Sequence, residues 1–228
     1  MMPKARSSRL GIRSLAGYVL CALAILALAQ CVPSRDAQVA YQTPMRAAKE
    51  PDPKLKPVTV VVIDKRPTTV VGHPLGFFGE REGNITSEYQ ASEALKKAFD
   101  IELRNEGVTI GTGGNDVILT MTHFESQYVH PLFHTRAVAS IGVEVKVRNA
   151  KGSTVYSGYV VGQADQAAEA HFEGDQSIAS NVLSAEISDV LNAAMEDAVT
   201  RTLNDPAFMS ALGIVPVAAP TSTPASAS

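Results

Sequence analysis

Few residues in this chain are of a type that does chemistry. Only two cysteines occur, Cys21 and Cys31. Cys31 closes an apolar run over residues 15–31 that follows a basic leader with Lys4, Arg6, Arg9 and Arg13. The preceding residues read Leu28-Ala29-Gln30-Cys31, the pattern of a bacterial lipobox, in which the thiol accepts a diacylglycerol anchor. Gln30 departs from it, since Gly, Ala or Ser is usual there. His123, His130 and His134 form the one histidine cluster, with His73 further back. Imidazoles hold zinc or copper well, but this spacing follows no ligand pattern and only Glu125 is a nearby carboxylate. Packed or solvated histidines are the expectation, with no metal and no cofactor. Ser157 has no G-x-S-x-G around it, and no H-E-x-x-H occurs. The acidic pairs Glu80, Glu82 and Glu173, Asp175 fall near helix starts, where a helix dipole favours negative charge without catalysis. The expectation is a protein that is not an enzyme.

The segments around these residues explain Cys31 best. A cationic leader and an apolar stretch of about 15 residues make a secretory signal, short for a membrane span. Three outcomes remain open: lipidation at Cys31 after a signal peptide over 1–30, cleavage after Ala27-Leu28-Ala29 to release a soluble periplasmic chain, or an uncleaved inner-membrane anchor. Residues 31–56 carry Pro33, Pro44, Pro51 and Pro53 and read as a flexible tether reaching on the order of 25–30 Å. Residues 213–228 are rich in Pro, Ala, Ser and Thr, a composition that buries no core. That leaves one domain over 57–212. Without the leader, 16 basic residues face 23 acidic ones, a net charge near −7. Nucleic acid is therefore not an expected partner.

The domain opens with β-branched residues 58–63, a run without alternation that suits a strand buried centrally on both faces. Asp64, Lys65 and Arg66 end it, either as a solvated exit or as an ion-pair cluster positioning the next loop. That loop, 70–84, carries Phe77 and Phe78, which either fold back on the core or contact a partner. Ser87 and Gln90 form a capping-box pattern for a helix to about 106, with Ala91, Leu95, Ala98, Phe99 and Leu103 on one stripe and Gly107 as left-handed cap. A short strand over 108–110 follows, then strands over about 116–126, 136–148 and 154–163, the last two joined by a tight turn at 149–152. A long helix over 175–204 carries Leu183, Ile187, Val190, Leu191, Ala194 and Ala198 inward, and Phe208 packs inward just after it. The order is strand, helix, four strands, helix. It predicts an α+β two-layer domain, a mostly antiparallel sheet with two helices on one face.

In that order, Cys31, the Pro-bearing tether, V-x-V-x-x-x-D-x-R at 58–66, N-E-G-V at 105–108, the long hairpin and the Ala-rich helix ending in Asp205-Pro206 resemble the YajG-type lipoproteins of Gram-negative bacteria. The resemblance implies an uncharacterised envelope lipoprotein and brings no catalytic residues. With lipidation, Val32 follows the cysteine, and the usual sorting rule then implies the outer membrane, facing the periplasm. The expected partners are the membrane, through the lipid, and an unknown envelope protein met through the sheet edge or the Phe77-Phe78 loop; the alternative is a periplasmic small-ligand or metal-binding domain using His123, His130 and His134.

Overall fold

A computed structural model describes residues 34–41, 47–73, 81, 83–87, 89–129, 135–168 and 176–214. Seven strands and three helices follow in chain order: β1 (Ser34–Asp36), β2 (Val58–Asp64), β3 (Val70–Gly72), β4 (Asn84–Thr86), α1 (Tyr89–Asn105), β5 (Asn115–Val129), β6 (Thr135–Arg148), β7 (Thr154–Ala168), α2 (Gln176–Leu203) and α3 (Pro206–Ala211). The main sheet has order β2-β5-β6-β7; a small one has order β1-β4-β3. β2 pairs parallel with β5, while β5, β6 and β7 form an antiparallel meander. Helices α1 and α2 pack on one face, which gives the expected two-layer α+β domain.

Alternation builds the inner layer. Ala137, Ala139, Ile141, Val143, Val145 and Val147 of β6 are all buried, and Val117, Leu119 and Met121 continue the layer on β5. From α1, Leu95, Ala98, Phe99 and Leu103 cover β2, and from α2, Ile187, Val190, Leu191, Ala194, Met195, Ala198 and Val199 are buried. Each buried Leu, Ile or Phe contributes about 1.5–3 kcal/mol. Small residues let α2 approach closely. A Cβ on Gly162 would collide with the Ala194 carbonyl oxygen and the Ala198 nitrogen, so only glycine fits beneath the helix there. Phe208 is buried and meets Tyr156 edge-on at 5.6 Å. Gly107 takes φ 85°, as the cap reading requires.

Several expectations are corrected. β2 is an edge strand, not a central one. Valine and isoleucine favour strands whichever way they face, so an apolar run there did not require two buried faces. Residues 108–110 contribute a single bridge, Ile110 to Val58, and no strand. The loop over 70–84 contains β3 and β4, two short pairings without a long pattern. The Ser87 hydroxyl is buried without a partner among the described residues, and α1 starts at Tyr89, so the capping box does not form.

The segment expected as a free tether is packed over residues 37–41, and residues 47–54, though exposed, are tied to the domain by backbone hydrogen bonds. β1 pairs parallel with β4, and Ala37, Val39 and Tyr41 are buried in turn. Their alternation over residues 37–41, just after β1, is a short period-2 signal hidden between Pro33 and Pro44. Gln38 donates from its backbone to Ser188 Oγ (3.1 Å), Ala40 to Asn192 Oδ1 (3.0 Å), and the Tyr41 hydroxyl to the buried Glu102 (2.7 Å). Lower down, the Lys49 and Asp52 amides donate to the carbonyls of Asn105 and Gly107. The chain therefore enters at the end where β5 turns into β6, the upper end. It descends between α1 and α2, wraps beneath the domain and rises again as β2.

Candidate functional site

The helix-free face of the main sheet holds the groups that are free to meet a ligand or partner. Register aligns them in rows. Ile63 lies beside Thr120, Thr120 beside Glu144, and Glu144 beside Tyr159. One row below, Val61, Ile118, Lys146 and Ser157 follow the same path. Val61, Ile63, Val155 and Tyr159 are 42, 40, 47 and 55% exposed, a degree of apolar exposure absent from the helix-covered face among the described residues. Lys146 and Glu144 pair at 3.5 Å with both side chains in solvent, an ion pair worth at most about 1 kcal/mol.

Above these rows a β-bulge interrupts β5. Met121 pairs with Val143 and His123 with Gly142, which leaves Thr122 as the extra residue. Bulges re-aim side chains, and this one lays the His123 ring over Gly142, where Tyr159 also arrives from β7. A Cβ on Gly142 would strike both. The Thr122 hydroxyl donates to the Gly142 carbonyl (3.1 Å) and lies 3.3 Å from the Tyr159 hydroxyl. Tyr159 in turn lies 3.4 Å from His123 Nδ1. This cluster presents a phenol and an imidazole at the surface. The proton of Thr122 is directed at a backbone carbonyl and not at His123, so no activated nucleophile results.

Toward the upper end the same face deepens into a cavity of about 880 Å³, bordered by Thr68, His73, Arg81, Glu125, Ser140 and Asp165. Its size suits a small molecule, although such sites are usually more apolar. His73 Nδ1 lies 3.0 Å from the Gly83 carbonyl, which can only accept. That places a proton on Nδ1. Arg136 and Asp165 form an ion pair at the rim, with Nε to Oδ1 at 2.9 Å.

The sharper reading of the strand exit is the observed one. Arg66 is buried and grips Asp64 through Nε (3.0 Å) and Nη2 (2.7 Å), and Nη2 also donates to the Ser87 carbonyl (2.8 Å). Burial raises the Asp64 pKa, but the Arg66 side-chain and backbone hydrogen bonds and its charge outweigh that and hold the carboxyl below its usual range. The motif fastens the end of β2 to the approach to α1. It is structural.

Of the histidines singled out in the sequence, His123 and His73 are placed. Cys31, Phe77, Phe78, His130 and His134 lie outside the described residues, as do Glu80, Glu82, Glu173 and Asp175. Among the described residues no three His, Cys, Asp or Glu side chains come together as a metal site. Sequence reasoning missed Thr122, Gly142 and Tyr159. Their available sign was a glycine inside the otherwise alternating strand β6, which marks a bulge or a close approach.

A family profile described as an uncharacterized lipoprotein matches residues 46–212. No curated protein matches the chain. Among solved structures, a protein from Xanthomonas campestris is 11% identical, with 76% of this chain and 98% of that one covered and a TM-score of 0.39. A minor lipoprotein from Acinetobacter baumannii is 9% identical over 64% and 92%, with a TM-score of 0.33. A lipoprotein from Neisseria meningitidis is 8% identical over 59% and 97%, with a TM-score of 0.31. Likenesses this distant carry no argument. Among the described residues no helix is long and apolar enough to cross a membrane.

Proposed function

We propose that this chain, which belongs to the family of uncharacterised lipoproteins, is a lipid-anchored, non-catalytic domain that binds an envelope protein through the helix-free face of its sheet. Membership in a lipoprotein family supports membrane association through an acyl anchor. Cys31 is the residue we assign to it, and Val32 behind it favours the outer membrane, facing the periplasm. The YajG-type lipoproteins are the narrower kinship we propose. Acyl chains contribute about 0.8 kcal/mol per buried CH₂, and stable attachment takes more than one chain, which a lipoprotein modification supplies. Mass measurement of the mature N-terminus tests this. A diacylglycerol adduct at Cys31, with release of Cys31→Ser from membranes, is expected; a free Gln30 or an intact Met1 overturns it.

The observation that carries the binding role is the apolar exposure at Val61, Ile63, Val155 and Tyr159. Interleaved with Ser157, Glu144 and Lys146, it has the mixed composition of a non-obligate protein interface. A partner is expected to bury the aliphatic residues of β2 and stack on Tyr159 while satisfying Lys146 and Glu144, which lie between them. A photocrosslinker at Tyr159 in intact cells should give one discrete protein adduct. Ile63→Asp should remove it without changing the fold, and a crosslinker at Lys151 should give none. Equal capture from 159 and 151 ends the idea.

The cavity beside His73 and Arg81 favours a second reading, a site for a small polar ligand. The histidine cluster belongs to that reading only through His123, which stands just below the cavity. Protein dialysed and analysed for bound zinc or copper separates the two, since a metal-free, fully folded sample removes the metal form of the second reading.

A further inference from the structure

The path of the N-terminal strap fixes which end of the domain lies near its anchor. Ser34 stands opposite Asn84, and the chain then descends past Ser188, Asn192 and Glu102 in that order. Ser34 is therefore at the upper end, the end where β5 stops at Val129 and β6 starts at Thr135, and where β7 stops at Ala168 and α2 starts at Gln176. The turns at 111–114 and 149–152 lie at the opposite end, and so does Ala211, whose carbonyl faces the Asn115 side chain.

Only Val32 and Pro33 separate Cys31 from β1. Extended chain advances at most about 3.3–3.6 Å per residue, so Cys31 to Ser34 spans roughly 10 Å. The 15-residue strands β5 and β7 rise about 50 Å. A free 25-residue tether would have let the domain turn any side to the bilayer. The packed strap removes that freedom. Ala37, Val39 and Tyr41 are buried, and Asp36 is held from the Thr86 hydroxyl at 2.8 Å.

We propose that the partner of the upper end is the phospholipid surface itself. The domain stands upright on the bilayer, with Ser34, Arg81 and Gln127 near the headgroups and the turns at 111–114 and 149–152 about 50 Å away. The helix-free face then runs along the membrane normal, open to a partner in the aqueous space. This rests on lipidation of Cys31 as proposed above.

The test places a photocrosslinking residue at Arg81, Gln127, Thr112 or Lys151 of the full-length protein in cells and measures phospholipid adducts by mass. Adducts are expected at 81 and 127 and not at 112 or 151. Insertion of a 20-residue Gly-Ser segment between Pro33 and Ser34 should lower the upper-end signal roughly tenfold, because effective concentration falls steeply with tether length. It should leave the Cys31 adduct and the fold unchanged. Equal labelling at both ends, no labelling at 81 and 127, or no effect of the insertion overturns the orientation when the N-terminal mass shows the acyl group. If that mass shows none, the anchor reading has failed and the orientation falls with it.

Discussion

Val60 and Val61 are neighbours in sequence, identical in chemistry and opposite in fate. Val60 is 3% exposed on the helix-covered face, and Val61 is 42% exposed on the bare one. The same contrast runs across the whole sheet. On one side, Gly162 exists so that α2 can press against the backbone of β7. On the other, Gly142 exists so that two side chains, His123 and Tyr159, can lie flat over the sheet. One face is filled to the density of a core and tolerates no added atom. The other is covered only by side chains that can swing into water. Stability is therefore concentrated on the first face, and the second is free to serve recognition.

The largest expected effect breaks the covered face. Phe99→Ala removes a fully buried ring from α1 and should cost about 3–5 kcal/mol in denaturant unfolding. Gly162→Ala should cost about 1–3 kcal/mol by overpacking, because the added methyl meets helix backbone that cannot move aside. Gly142→Ala sharpens the comparison, since its methyl meets side chains alone. It should cost less than Gly162→Ala in the same urea titration and should displace the His123 ring resonances. An equal cost for both glycines would show that the bare face is as constrained as the covered one.

A pH effect comes next. Tyr156 donates to Asp205 Oδ2 at 2.6 Å, and Asp205 also caps α3 through the Ala207 amide. Burial, then the hydrogen bond and the charge of Asp205, push the Tyr156 phenol up to about 12. The pKa is raised on folding, so its stabilisation is complete below about pH 10, the ordinary tyrosine value, and is lost as pH rises from there through about 12. The hydrogen bond from Tyr156 lowers the Asp205 pKa, burial works against it, and the Ala207 and Phe208 amides add to the lowering. That contribution is present above the ordinary carboxylate value and fades as pH falls through the depressed one. Tyr156→Phe should cost about 1 kcal/mol at neutral pH and flatten the alkaline limb of the stability profile. The smallest effect belongs to the bare face. Val61→Thr and Ile63→Thr should each change stability by no more than about 0.5 kcal/mol, yet weaken capture of the partner from Tyr159.

Much of the scaffold was legible because it is written in long periods. The alternation of β6 and the stripe of α1 each repeat over several turns or pleats, and Asp205-Pro206 ends α2 by removing a donor. Short elements were not legible. β1, β3 and β4 have three residues each, too few to show a period, and their pairing depends on what lies beside them. The edge position of β2 was missed for a related reason, since a run of valines reads alike whether one face is buried or two. At the site, the histidines attracted attention by type, while Gly142 and Tyr159 became neighbours of His123 only through register across three strands.

By itself the sequence determined the α+β order, the buried stripes of α1 and α2, and the candidate anchor at Cys31, because each rests on local spacing or on one residue's chemistry. Only the tertiary structure decided that the strap at 34–41 is packed, that Asp64 and Arg66 act as a clamp, and that β2 turns Val61 and Ile63 outward. Each of those depends on which surfaces meet, and a chain of 228 residues does not record its meetings in its spacing.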